Sequence, residues 1–165
     1  MTTTSTNLKA VIAQPKSDKE RLNAAFKQLR AHKFVAKQNF LCCQTCGWAE
    51  IGAEPKDALF YHRQDTEHAL KDGKLVSKLY IAHRISSEGR GLLVRAIFAD
   101  NGFYAIWDGS DSSRIALVNM TPELKAISML RTADRVCSKD GHEWGWQLQA
   151  RELIKNAEKS IGVRS

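Results

Sequence analysis

Proline is scarce in this chain: three in 165 residues, at positions 15, 55 and 122. A thioredoxin-like redox fold sets a cis-proline ahead of a late strand, facing its cysteines. None of the three clearly stands in such a place. Long apolar runs are also missing, which excludes a helical membrane span. The opening Met1-Thr2-Thr3-Thr4-Ser5-Thr6 has neither a basic start nor an apolar core, so no secretory signal is expected. The expected compartment is therefore the cytoplasm, where disulfides are disfavoured. Internal repeats are absent, and low complexity is limited to the threonine start.

What is present is ordinary for a folded domain. The chain is 43% hydrophobic and 26% charged, long enough to bury a core without staples. The formal charge is +7. It is unevenly spread: residues 1–41 hold eight basic and two acidic side chains. A basic segment can meet an acidic protein face, nucleic acid or an acidic membrane surface, or can serve solubility alone.

Residues 1–16 read as a flexible polar tail. Ser17 with Glu20 three residues on is a capping box, and Leu22, Phe26 and Leu29 then recur at helical spacing to about Lys33. On that wheel Lys16, Lys19, Lys27 and Arg30 fall together beside the apolar stripe. Residues 34–41 read as a strand, 48–51 as a short helix and 58–62 as a second strand. Asp65 is expected to cap a helix to Leu70. A third strand lies within 75–85. A helix follows over 88–100, with Leu93, Ala96 and Ile97 inward and Gly102 as its stop. Strands at 103–107 and 114–118 flank a polar turn and form a hairpin. Thr121-Pro122-Glu123 starts a helix to about Arg131. A last helix covers 143–160, with Trp146, Ala150, Leu153, Ile154, Ala157 and Ile161 on one face.

This order predicts an α+β fold: a single twisted sheet of about five strands, mixed or antiparallel, with helices mainly on one face. A core domain over 17–120 and a C-terminal helical extension over 121–165 are expected.

Cys42-Cys43-Gln44-Thr45-Cys46-Gly47 is the most informative stretch. A C-x-x-C turn brings two soft sulfurs close enough to share a zinc ion, and a following glycine lets the backbone turn towards them. The remaining ligands would come from Cys42, from His62, or from Cys137 and His142. The same segment after a strand and before a helix also suits a reactive thiol. His62 and Asp65 could then act as an acid/base pair for Cys43 or Cys46. Buried, inert thiols are the plain alternative. Gly89-Arg90-Gly91 lacks the pattern of a phosphate loop and reads as a flexible helix start. Asp108 to Ser113 reads as a polar turn. Trp144 falls outside the last helix's apolar face, where it could meet a partner.

From about Leu29 to Val118 the chain resembles a bacterial domain family of unknown function. The likeness rests on Phe34-Val35-Ala36, Asn39-Phe40, Cys42 to Gly47, Tyr61-His62, Gln64 to Glu67, Trp107 to Ser110 and Arg114-Ile115. It implies that Cys42, Cys43, Cys46, His62, Gln64 and Asp65 share one locus. It therefore favours Cys42, Cys43, Cys46 and His62 over Cys137 and His142 as ligands.

The leading expectation is a small soluble binding or regulatory protein rather than an enzyme. Its cysteine cluster would staple the first two strands, with zinc as the metal if one is bound. Lys16, Lys19, Lys27, Arg30 and Trp144 would form a face for an acidic protein. Two alternatives remain. One is a cysteine-dependent enzyme or thiol redox protein using Cys43 and Cys46 with His62 and Asp65. The other is a non-specific nucleic-acid binder using the basic first helix.

Overall fold

A computed structural model describes residues 16–138 and 145–160. The capping box closes the first helix, α1 (Asp18–Ala31): the Ser17 amide donates to the Glu20 carboxylate at 2.7 Å, and the Ser17 hydroxyl accepts from the Glu20 amide. Leu22, Ala25, Phe26 and Leu29 line its buried side. Then follow β1 (Val35–Lys37), α2 (Gln44–Ile51), β2 (Ala58–Phe60) and α3 (Arg63–Ala69). A small hairpin, β3 (Leu70–Lys71) and β4 (Lys74–Leu75), turns on Asp72 and Gly73, both at positive φ. The chain continues through β5 (Leu79–Arg84), α4 (Glu88–Asp100), β6 (Phe103–Ile106) and β7 (Ile115–Asn119). It closes with α5 (Pro122–Ser138) and α6 (Gly145–Ser160).

The main sheet has five strands in the order β1-β2-β5-β7-β6. β1 and β2 are parallel and the other pairs antiparallel, so the sheet is mixed and the fold α+β, as the element order predicts. Successive side chains on a strand point to opposite faces. Leu59, Leu79, Ile81, Phe103, Ala105, Ile115 and Leu117 face one way and pack with α1 and α4 in the larger core. Tyr104, Ile106 and Ala116 face the other way and meet Leu124, Ile127 and Ile154 of α5 and α6. Phe60 also lies on this second face, edge-on to Trp48 of α2 at 5.0 Å between ring centres. The second face is thus covered at both ends, by α2 over β2 and by α5 and α6 over β6 and β7. Tyr80 and Arg114 lie between.

Several local expectations differ from the structure. The first strand is only three residues long, because Asn39 and Leu41 adopt positive φ and turn the chain out of the sheet. Ala96 is exposed and Leu93 half-buried; Ile97 points inward as expected, together with Gly91, Val94 and Phe98. Gly91 is a contact residue rather than a flexible start. A Cβ there would lie 2.9 Å from the Trp107 ring. Leu153 is 61% exposed, although Ala150 and Ile154 are buried. α5 runs one and a half to two turns past Arg131. Among the described residues no helix is long and apolar enough to cross a membrane.

Candidate metal centre

The cysteine cluster sits where β1 leaves the sheet. Two backbone hydrogen bonds pin the turn that carries it. The Phe40 amide donates to the Tyr61 carbonyl at 2.9 Å, and the Arg63 amide donates to the Leu41 carbonyl at 3.0 Å. The segment leading into Cys42 is therefore tied to the start of α3. Cys43 is the N-cap of α2, in extended conformation, without a side-chain capping hydrogen bond. Gly47 sets how closely this helix approaches the sheet: its amide donates to the Cys43 carbonyl, and a Cβ there would overlap the Phe60 ring. At the other end Gly52 ends α2 at φ +76°. Arg84 donates to the Gly52, Ala53 and Pro55 carbonyls and stacks on Trp48 at 4.6 Å. Both ends of a helix of eight residues are thereby anchored.

The three sulfurs converge. Their positions all lie within 4.8 Å of one another, with Cys42 Sγ 3.4 Å from Cys46 Sγ and 3.8 Å from Cys43 Sγ. All three are free thiols; Cys42 and Cys46 are exposed and Cys43 is half-buried. The Cys46 backbone amide, followed by the Cys46 and Cys42 thiols, stabilises the Cys43 thiolate and lowers its pKa. Hydrogen bonding by Cys42, then Cys43, pushes the Cys46 thiol up to about 11. Among the described residues, this is the group of three or more ligating side chains that could hold a metal ion.

His62 stands apart from that trio. It is the N-cap of α3, and Asp65 is the third helical residue of a capping box rather than the cap. The His62 Nδ1 accepts from the Asp65 amide at 3.3 Å, and its Nε2 lies 3.0 Å from Asp65 Oδ2. The other carboxylate oxygen of Asp65 accepts from Arg114 Nη1 at 3.1 Å. His62 and Asp65 are both buried, with 8% side-chain exposure each. The result is a His62–Asp65–Arg114 chain joining α3 to the residue just before β7.

Cys43 and this chain border one open cleft of about 550 Å³. Cys43, Gln44 and Thr45 line it at the start of α2, and His62, Gln64, Asp65 and His68 from α3; Tyr80 comes from β5 and Arg114 from the position just before β7. Sequence reasoning brought the cysteines, His62, Gln64 and Asp65 to one locus, and the structure places Cys43 and those three residues around this cleft. It assigned no site role to Tyr80 or Arg114. The available signal was strand parity: both sit at positions facing the second side of the sheet. The Arg114 guanidinium covers the Tyr80 ring at 4.8 Å.

These residues fall within a known sequence family. A family model described as a domain of unknown function, DUF6891, matches residues 13–122. The chain belongs to the DUF6891 family. The DUF6891 match takes in every cleft residue and the whole sheet, and ends as α5 begins. No curated protein and no solved structure matches the chain.

The other expected sites are dispersed. Lys19 Nζ donates to the Tyr61 hydroxyl at 2.8 Å, and Arg30 Nη1 to the Ala36 carbonyl at 3.1 Å. Lys16 and Lys27 are exposed on or beside α1. Cys137 lies in α5, but its side chain is outside the described residues, as are His142 and Trp144. β1 and β2 are joined by their own backbone ladder, and the cluster belongs to neither strand.

Proposed function

We propose that this DUF6891 protein binds zinc through Cys42, Cys43 and Cys46, in an open site at the rim of the cleft. The carrying observation is the convergence of three free thiols within 4.8 Å of one another. Thiolates are soft ligands that select zinc and similar thiophilic ions over magnesium or calcium. A structural zinc site is usually closed by four protein ligands, whereas an open site keeps a position for water or a ligand. Here three exposed or half-exposed sulfurs supply three positions, and one of them, on Cys43, also lines the cleft. His62 is not part of this group: both of its ring nitrogens face Asp65.

The role is binding or regulatory, and the fold stands without the ion. The larger core contains no residue of the cluster. Lys16, Lys27 and Arg30 are the exposed part of the basic stripe, left for an acidic protein partner. The test is anaerobic titration of the reduced chain with Co²⁺ and then Zn²⁺, following thiolate charge-transfer absorption and its loss on displacement. One ion per chain, abolished by Cys43→Ser with Cys46→Ser, supports the reading. The absence of thiolate–cobalt absorption contradicts it.

A dithiol redox role is the second reading. It is favoured by the placement of Cys43 at the N-cap of α2, one turn ahead of Cys46. Treatment of the metal-free chain with a small disulfide should then remove two hydrogens and two free thiols per chain. Survival of all three thiols of the cluster sets this reading aside.

A further inference from the structure

The cleft has recognition chemistry of its own, opposite the thiols. Arg114 is the one arginine or lysine of its lining. One guanidinium N–H reaches Asp65 at 3.1 Å, and the face of the group lies on Tyr80. Those two contacts fix its plane. A guanidinium carries five N–H donors, and 36% of the Arg114 side chain remains exposed. Asp65 is the lining's one carboxylate, and it is buried under His62 and Arg114. The rest of the wall away from the cysteine is hydroxyl, amide and imidazole: Gln44, Thr45, Gln64 and His68 with Tyr80. A preoriented arginine with spare donors, set among polar groups, suits a carboxylate in bidentate geometry. The volume of about 550 Å³ is that of a small-molecule site.

We propose that the cleft binds a small thiol-bearing carboxylate. Its carboxylate pairs with Arg114, and its sulfur takes the open position of the Cys42/Cys43/Cys46 metal site. The sulfur half of this proposal rests on the zinc reading above; the carboxylate half does not.

The probes are glutathione, S-methylglutathione, which keeps the carboxylates but blocks the thiol, and 2-mercaptoethanol, which has the thiol alone. Each is titrated calorimetrically into the reduced full chain, with and without zinc, for the natural sequence, Arg114→Gln and Arg114→Lys. Circular dichroism confirms that each variant is folded; Arg114→Lys keeps the charge if Arg114→Gln fails to fold. On the zinc-loaded chain glutathione should bind at least tenfold more tightly than either other probe. Both arginine variants should weaken it at least tenfold while zinc stoichiometry stays unchanged. On the metal-free chain S-methylglutathione should still bind in an Arg114-dependent manner. Equal binding of glutathione and 2-mercaptoethanol, or binding indifferent to Arg114, overturns the proposal. If no zinc binds but S-methylglutathione still depends on Arg114, the zinc reading and the sulfur half fail and the carboxylate half stands.

Discussion

Asp65 and Arg114, 49 residues apart in sequence, meet at 3.1 Å across the floor of the cleft. The contact ties the first turn of α3 to the start of β7. Asp65 serves three neighbours at once: the His62 amide, the His62 ring and the Arg114 guanidinium. Asp65→Ala strips all three of their partner. Removing one member of a buried charged network costs up to about 3–5 kcal/mol, and the half-exposure of Arg114 brings the expected loss nearer to about 2 kcal/mol. Urea unfolding of both single variants and the Asp65→Ala/Arg114→Ala double variant measures it. Strict additivity in that cycle would show that the pair is not coupled.

Gly47 is expected to tolerate no side chain. Its Cβ position is occupied by the Phe60 ring, which is itself fully buried against Trp48 and Phe40. Gly47→Ala should destabilise the chain by about 1–3 kcal/mol, as overpacking does. Because α2 carries Cys43 and Cys46, the same change should weaken cobalt binding. Denaturant unfolding and cobalt titration of this one variant check both effects. An unchanged midpoint would mean that α2 does not sit on Phe60.

The thiols should differ in reactivity. The Cys46 amide and the neighbouring thiols favour the Cys43 thiolate, while Cys46 is pushed up to about 11. Alkylation of the metal-free chain near neutral pH should label Cys43 before Cys46. The Cys43 rate should rise to its plateau below the pH usual for a thiol, whereas the Cys46 rate should still be climbing at pH 10. Peptide mapping after a timed pulse of iodoacetamide resolves the order. Faster labelling of Cys46 would contradict the arrangement.

Asp18 makes acid stability predictable in sign. Burial pushes its carboxyl up, but hydrogen bonds from Asn119, the Leu75 amide and Arg21 outweigh it, and the net pKa is lowered. These partners link α1 to β4 and β7. A lowered folded-state pKa adds stability that is fully present above the unfolded carboxyl's ordinary value. It is lost as pH falls through the folded value. Asp18→Asn should therefore lower the unfolding midpoint at pH 7 and have a smaller effect at pH 3. Equal losses at both pH values would mean that the carboxylate charge does not matter.

The sequence made the elements legible where local chemistry decides them. Ser17 with Glu20, Thr121 before Pro122, and Gly102 after α4 all mark ends that the structure keeps. The cysteine cluster was legible because the turn closes locally. What was hidden depends on partners far along the chain. Nothing near Asp65 shows that His62 would take the capping position while Asp65 faces Arg114. Ala96 and Leu153 fit an apolar stripe by spacing, yet both are exposed. Gly91 looked like backbone freedom because Trp107, which it touches, follows after the whole of α4.

The most direct measurement is cobalt absorption of the reduced chain, with zinc back-titration, for the natural sequence and Cys42→Ser, Cys43→Ser and Cys46→Ser. The account predicts one ion per chain, a charge-transfer band that falls with each lost thiolate, and far-ultraviolet circular dichroism unchanged by chelator. No thiolate–cobalt band in the natural sequence, or unfolding on metal removal, would contradict it.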